Sequence, residues 1–300
     1  MRTLTTAVTG WRFLATLLAG LLAGTAWGSG PVRVLDALGQ TLTFSAPPRR
    51  IVSLAPSMTE ILYAIGARDL VVGVSSADDY PPEVRRKPQV GGVHLDYERL
   101  AALRPDLVVG LVSLQRANLE RLRGLGYRVL ALDPRSLQDT YRAILLLGQV
   151  TGRTEGARGV VEGMRERVNR IRTQLPRSRP RPRVFVEVWD QPFLTAARGT
   201  FLHDLLGLAG GENVFRELAG WPQVSEEQIL RRNPEVILVL HPGRDRVMRR
   251  PAWRLLDAVR AGRVYALNPS WVTRPGPRLV LGLEQIARVL HPEVTWQEER

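Results

Sequence analysis

Hydrophobic positions along this chain come in two kinds of run. Short continuous ones read as strands: Arg50-Ile51-Val52-Ser53-Leu54, Leu70-Val71-Val72-Gly73-Val74, and the stretches 107–109, 128–132, 184–188, 236–240 and 263–267. Between them lie stretches whose apolar residues recur every three or four positions, the period of a helix. One helix passes through Ile61, Leu62 and Ile65 and stops at Gly66, and the Ser57-x-x-Glu60 spacing at its start reads as a capping box. Another starts at Asp96, passes through Leu100 and Leu103, and stops at Pro105. Helices are also expected at 202–208 and 227–232, and one at 277–290 closes the chain. Continuous apolar strands alternating with helices predict parallel sheets covered on both faces.

The longest periodic stretch covers residues 153–175. Ala157, Val161, Met164, Val168, Ile171 and Leu175 share one face, and Arg158, Glu162, Arg165, Glu166, Arg170 and Arg172 share the other. As one helix it would reach on the order of 30 Å, ending before Pro176, Pro180 and Pro182. The sequences on its two sides repeat. Glu98-Arg-Leu-Ala-Ala-Leu-Arg-Pro105 and the strand after it match Glu227-Gln-Ile-Leu-Arg-Arg-Asn-Pro234 and its strand at one constant spacing. The expected fold is α/β: two α/β lobes joined by one long backbone helix, with a ligand cleft between the lobes where strand carboxyl ends face each other. The expected divisions are 1–28 (signal peptide), 29–150 (N-terminal lobe), 151–183 (connecting helix and Pro/Arg linker) and 184–300 (C-terminal lobe). A single-helix connection resists bending, so lobe movement should be modest.

The first 28 residues carry only Arg2 and Arg12 as charges, then an apolar run at 13–22 and small residues near Gly28. That run is too short for a spanning helix of roughly 20 residues and has the form of a secretory signal, which suggests a periplasmic protein. The chain has no cysteine. A lipid anchor on cysteine is therefore not expected, and disulfides and thiolate metal sites are excluded.

Charge first suggests a nucleic-acid partner: the net charge is +13, and 42 Lys plus Arg include a single Lys, Lys87. Its distribution argues otherwise. Residues 151–183 hold ten basic and three acidic side chains, whereas 184–300 hold 15 and 14. The excess sits on the connecting helix and linker, and the cleft-forming lobes are near neutral. No nucleic acid is expected.

The loops after strands hold few titratable groups and several aromatics. No Gly-x-Ser-x-Gly, His-Glu-x-x-His, Walker loop or dinucleotide fingerprint is present, so no enzyme, catalytic residue, metal site or cofactor is expected. A secreted hydrolase using His241 as base is the enzymatic alternative. Of the histidines, His94 and His241 fall in candidate cleft loops, His203 on a helix, and His291, beside Pro292, reads as surface. A loop histidine bonded to backbone is the commoner case than an iron or metal ligand. Trp189, Trp221 and Trp271 could stack on a large flat ligand or simply lid the second lobe. Glu98 and Glu227 stand in first helical turns, where an acid also favours the helix dipole.

Three segments carry a resemblance: Val74-Ser75-Ser76-Ala77-Asp78-Asp79-Tyr80-Pro81-Pro82, the stretch 98–109, and Gly220-Trp221-Pro222-Gln223-Val224-Ser225-Glu226-Glu227-Gln228. With them the chain resembles the iron-chelate and cobalamin class of ABC-importer substrate-binding proteins, its cobalamin branch above all, over residues 49–290. The resemblance implies a monomeric periplasmic receptor that delivers cobalamin or a related corrinoid to an ABC permease/ATPase complex. It implies ligand contacts at Trp221, Phe193 and Arg274, with Tyr80, His94, Trp189 and Trp271 nearby, and permease docking through Glu98 and Glu227. The chain departs from it at Ala77, Gly92 and Leu111, where aromatics would be compared, and at Ser270, where an acid would be. Haem or a ferric siderophore is the alternative cargo.

Overall fold

The computed structural model describes residues 30–176 and 180–296; the expected signal segment lies outside them. Lobe one opens with an antiparallel hairpin, β1 (Val32–Leu35) and β2 (Thr41–Phe44). Then follow β3 (Ile51–Ser53), α1 (Pro56–Ala64), β4 (Val71–Gly73), α2 (Tyr97–Ala102), β5 (Leu107–Leu111), α3 (Val112–Gly124), β6 (Val129–Leu132) and α4 (Leu137–Thr151). The backbone helix is α5 (Thr154–Gln174). Lobe two comprises β7 (Arg183–Glu187), the short hairpin β8 (Trp189–Asp190) and β9 (Phe193–Leu194), α6 (Phe201–Leu208), β10 (Glu212–Asn213), α7 (Glu226–Arg232) and β11 (Val236–Val239). It ends with α8 (Arg244–Arg249), α9 (Asp257–Arg260), β12 (Val264–Ala266), α10 (Pro269–Val272) and α11 (Leu279–Leu290).

The main sheets are parallel, ordered β4-β3-β5-β6 and β10-β7-β11-β12. Every residue of β5, β6 and β11 is buried, which is what continuous apolar strands require. The repeat is structural. The helix before each central strand, α2 or α7, ends in a residue with positive φ, Arg104 at 45° and Asn233 at 38°, followed by Pro105 or Pro234. The acid after the proline accepts from the start of the neighbouring parallel strand, β3 or β7: Asp106 from the Arg50 amide at 2.9 Å, Glu235 from that of Arg183 at 2.8 Å. Each of those arginines donates back to the helix end, at Leu103 O and Arg232 O.

Along α5, Ala157, Val161, Met164, Val168 and Ile171 are buried, in one core that also holds residues of α1, α4, α6 and α11. Apolar contact therefore runs through both lobes and their connector. Two expectations are corrected. Ser57 makes no capping box, because α1 starts at Pro56 and its N-cap, Ala55, has no side-chain cap bond; Glu60 turns elsewhere. His291 is buried, not at the surface, with Nε2 2.9 Å from Ala209 O. The structure adds α3 and α4. The first follows β5 with no polar cap and is interrupted at Gln115, where φ is −142°; this interruption breaks the period a sequence reader would use.

Candidate functional site

Parallel strands place their carboxyl ends on one side of each lobe, and the two sides face each other. At the β4/β12 flank the lobes are joined by charge. Glu60, on α1 and 3 % exposed, accepts from Arg278 at 2.8 and 2.5 Å and from Arg274 at 3.1 Å. Asp79 takes the Arg274 fork as well, with Nη2 to Oδ2 at 3.3 Å. The hydrogen bonds from Arg274 hold the Asp79 carboxyl below the usual range. Burial works to lower the Arg274 pKa, but the bonds to Asp79 and Glu60 outweigh it and raise it. The Arg278 guanidinium lies 4.0 Å from the centre of the Tyr80 ring. Next to Asp79, Asp78 is pushed up by burial, against hydrogen bonds from Ser75 that work the other way.

At the β6/β10 flank the lobes stand apart around a cavity of about 710 Å³. Val112, Ser113 and Arg116 of α3 with Asp133, Pro134 and Arg135 form one wall, and Arg198–Phe201 with Ala219, Gly220 and Trp221 the other. Trp221 is 42 % exposed, with its ring edge-on to Phe201 at 5.7 Å.

The middle of the lobe-two wall is built after β7 and β11. Glu187 is fully buried and accepts from both Arg250 nitrogens at 2.5 and 2.8 Å. A carboxylate so held can only accept from His241, so His241 Nε2 carries the proton of their 2.7 Å contact. His241 Nδ1 is buried without a partner. Trp189 packs edge-on against the His241 ring at 6.1 Å and is 51 % exposed. Arg250 also covers the rings of Phe193, at 4.9 Å, and Trp253, at 4.3 Å. Glu187, Asp190 and His241 offer ligand atoms within 4.8 Å of one another, as a metal set would. However, Arg250 already fills Glu187, and Arg246 reaches Asp190 at 2.8 Å, so guanidinium charge stands where a cation would bind.

The residues named from sequence thus separate. Tyr80 and Arg274 share the ion cluster, Trp189 and Phe193 the middle of lobe two, and Trp221 the open cavity. Trp271 is half-buried against the main core. His94 is exposed in a loop whose backbone is held by Asn118 and Gln115 of α3. Two of the departures, Leu111 and Gly92, have physical reasons. Leu111 is buried in the core, and a Cβ on Gly92 would meet Ser76 Oγ at 3.0 Å. Glu98 and Glu227 are exposed at equivalent first turns of α2 and α7. Glu227 pairs with Arg231 at 2.6 Å, both largely exposed, a pair of little energetic weight. Sequence reasoning missed Glu60, Arg278, Glu187 and Arg250. Only Glu60 carries a local signal, and its Ser-x-x-Glu spacing reads equally as a cap.

The periplasmic binding protein family matches residues 51–270. An uncharacterized ABC transporter substrate-binding lipoprotein of Bacillus subtilis is 34 % identical over 271 residues, covering 88 % of this chain and 86 % of that protein. Among solved structures, the periplasmic vitamin B12 binding protein of Vibrio cholerae is 32 % identical, with a TM-score of 0.73 over 82 % of this chain and 98 % of its own. A periplasmic heme binding protein from Pseudomonas aeruginosa is 26 % identical, with a TM-score of 0.76 over 84 % of this chain and 95 % of its own. Among the described residues, no helix is long and apolar enough to cross a membrane.

Proposed function

This chain belongs to the periplasmic binding protein family, and from that premise we propose that its cargo is cobalamin or a related corrinoid, held between the lobes. As an ABC-type substrate-binding protein it carries a solute and is not an enzyme, so the ligand is cargo and not a cofactor. The observation that carries the corrinoid reading is the inter-lobe cavity of about 710 Å³ with Trp221 on its wall. Its size is that of a small-molecule site. Haem iron needs an axial side chain such as His, Tyr, Met or Cys, and none of these lines the cavity. Cobalamin brings its own axial base, and its amides and phosphodiester suit Arg116, Arg135 and Arg198 around an aromatic face.

In this reading Trp221 contacts the ligand in the cavity, and Trp189 and Tyr80 stand exposed along the cleft beyond it. Phe193, under Arg250, and Arg274, held by Glu60 and Asp79, keep those walls in place. Glu98 and Glu227 meet the permease. The protein then acts as a periplasmic monomer. Haem is the second reading, supported by the Pseudomonas structure and by the exposed Tyr80. Calorimetry with cyanocobalamin and haemin separates them. Cyanocobalamin should bind at one site with a Kd under about 1 µM, and Trp221→Ala should weaken it about tenfold through lost ring contact. No heat with cyanocobalamin, together with a Soret shift on adding haemin, would overturn the corrinoid reading in favour of haem.

A further inference from the structure

A second cavity, of about 630 Å³, lies where α4, α5 and α6 meet, and it shares no lining residue with the first. In its lining the Leu137 amide donates to Asp204 Oδ2 at 3.3 Å, a bond that joins lobe one to lobe two. Its floor is apolar: Leu137 and Tyr141 from α4, Val168 from α5, Leu208 from α6. Its rim carries Arg165, Arg172 and Arg181. Arg165 and Arg172 are seven residues apart on one helix, so they share a face at a separation on the order of 10 Å. Arg165 lies over the Tyr141 ring at 5.4 Å. None of the three has a carboxylate partner among the described residues, although arginines elsewhere on α5 do, Arg158 with Glu155 for example. The only acid in the lining is Asp204, which faces the Leu137 amide.

The geometry points to a second ligand site here, for an amphiphilic organic anion: an apolar body on the α4–α6 floor and a carboxylate or phosphate head between Arg165, Arg172 and Arg181. Cargo transport through the first cavity does not call for it. The arrangement assigns a role to part of the basic excess of residues 151–183, where ten basic side chains face three acidic ones. Buried apolar area would supply the affinity, and charge-assisted bonds from the guanidinium forks the sign selectivity. An occupant would touch both lobes and their connector at once, and so would favour the lobe angle seen here.

The test is calorimetric titration of the mature protein with dodecanoate below its micellar concentration, beside dodecyltrimethylammonium and inorganic phosphate. Dodecanoate should bind one to one, with neither control binding comparably. Arg165→Glu/Arg172→Glu should weaken it at least about tenfold, and the milder Arg165→Gln/Arg172→Gln should weaken it less, both melting near the parent because these side chains are exposed. Trp221→Ala should leave it unchanged. Equal binding of the cationic amphiphile would reduce the site to apolar adhesion, and equal binding of phosphate would remove the apolar body from the recognition. Loss of dodecanoate binding in Trp221→Ala would place it in the first cavity. Any of these results, no binding, or indifference to the arginine variants would overturn the proposal.

Discussion

Glu60 shows how much one residue can hold. Its carboxylate is nearly inaccessible and takes bonds from two arginines of the other lobe. Removing one partner of a buried pair costs more than the pair contributes, because the remaining charges lose their compensation. Glu60→Gln should therefore destabilise the protein by about 3 kcal/mol, the lower end for a buried pair because both arginines keep some solvent contact. Urea unfolding at constant m-value measures it, and a change under about 1 kcal/mol would show that the cluster is well compensated by water. The same residue marks a limit of sequence reading. A Ser-x-x-Glu spacing describes a helix start equally well whether the acid turns back to the backbone or outward to a partner 214 residues away. Trp221 was legible because its motif is local, whereas the Arg250 fork on Glu187 was not.

Among elements, α5 was read almost to its ends, because a 21-residue amphipathic period is a strong signal. What the period could not tell is which of its glycines are structural. Gly156 packs where a Cβ would stand 2.3 Å from Ile65 O, at the end of α1, whereas Gly163 has open space. Alanine is the better helix former by about 1 kcal/mol. Gly163→Ala should accordingly stabilise the protein by about 0.5–1 kcal/mol, and Gly156→Ala should destabilise it by about 1–3 kcal/mol through overpacking against backbone. Thermal melts of the two variants check this, and shifts of the same sign would refute the assigned contact. The repeated helix-turn-Pro-strand unit was visible as sequence, but its left-handed residues Arg104 and Asn233 were not, because neither is the glycine that normally marks that conformation.

At the scale of the molecule, charge at one flank and an open cavity at the other set the two lobes face to face. The equivalent exposed turns of α2 and α7 then present Glu98 and Glu227, one on each lobe. If these meet basic residues of a permease, Glu98→Arg/Glu227→Arg should reduce cargo uptake at least about tenfold while cargo affinity stays within about twofold. Uptake assays in reconstituted membranes, with calorimetry in parallel, measure both. Undiminished uptake would remove the docking role from these turns.

The amino-acid sequence by itself determined the alternation of strands and helices, the long connector, the internal repeat and the family resemblance, because each is written in neighbouring residues at a fixed period. Tertiary structure alone decided which aromatic borders open space, that Arg274 and Arg278 converge on Glu60, and that a basic rim on α5 overhangs an apolar floor. Those arrangements join residues from different lobes, up to 218 positions apart. Side-chain pairing over such distances follows from how the two sheets pack around one helix, and no local pattern records it.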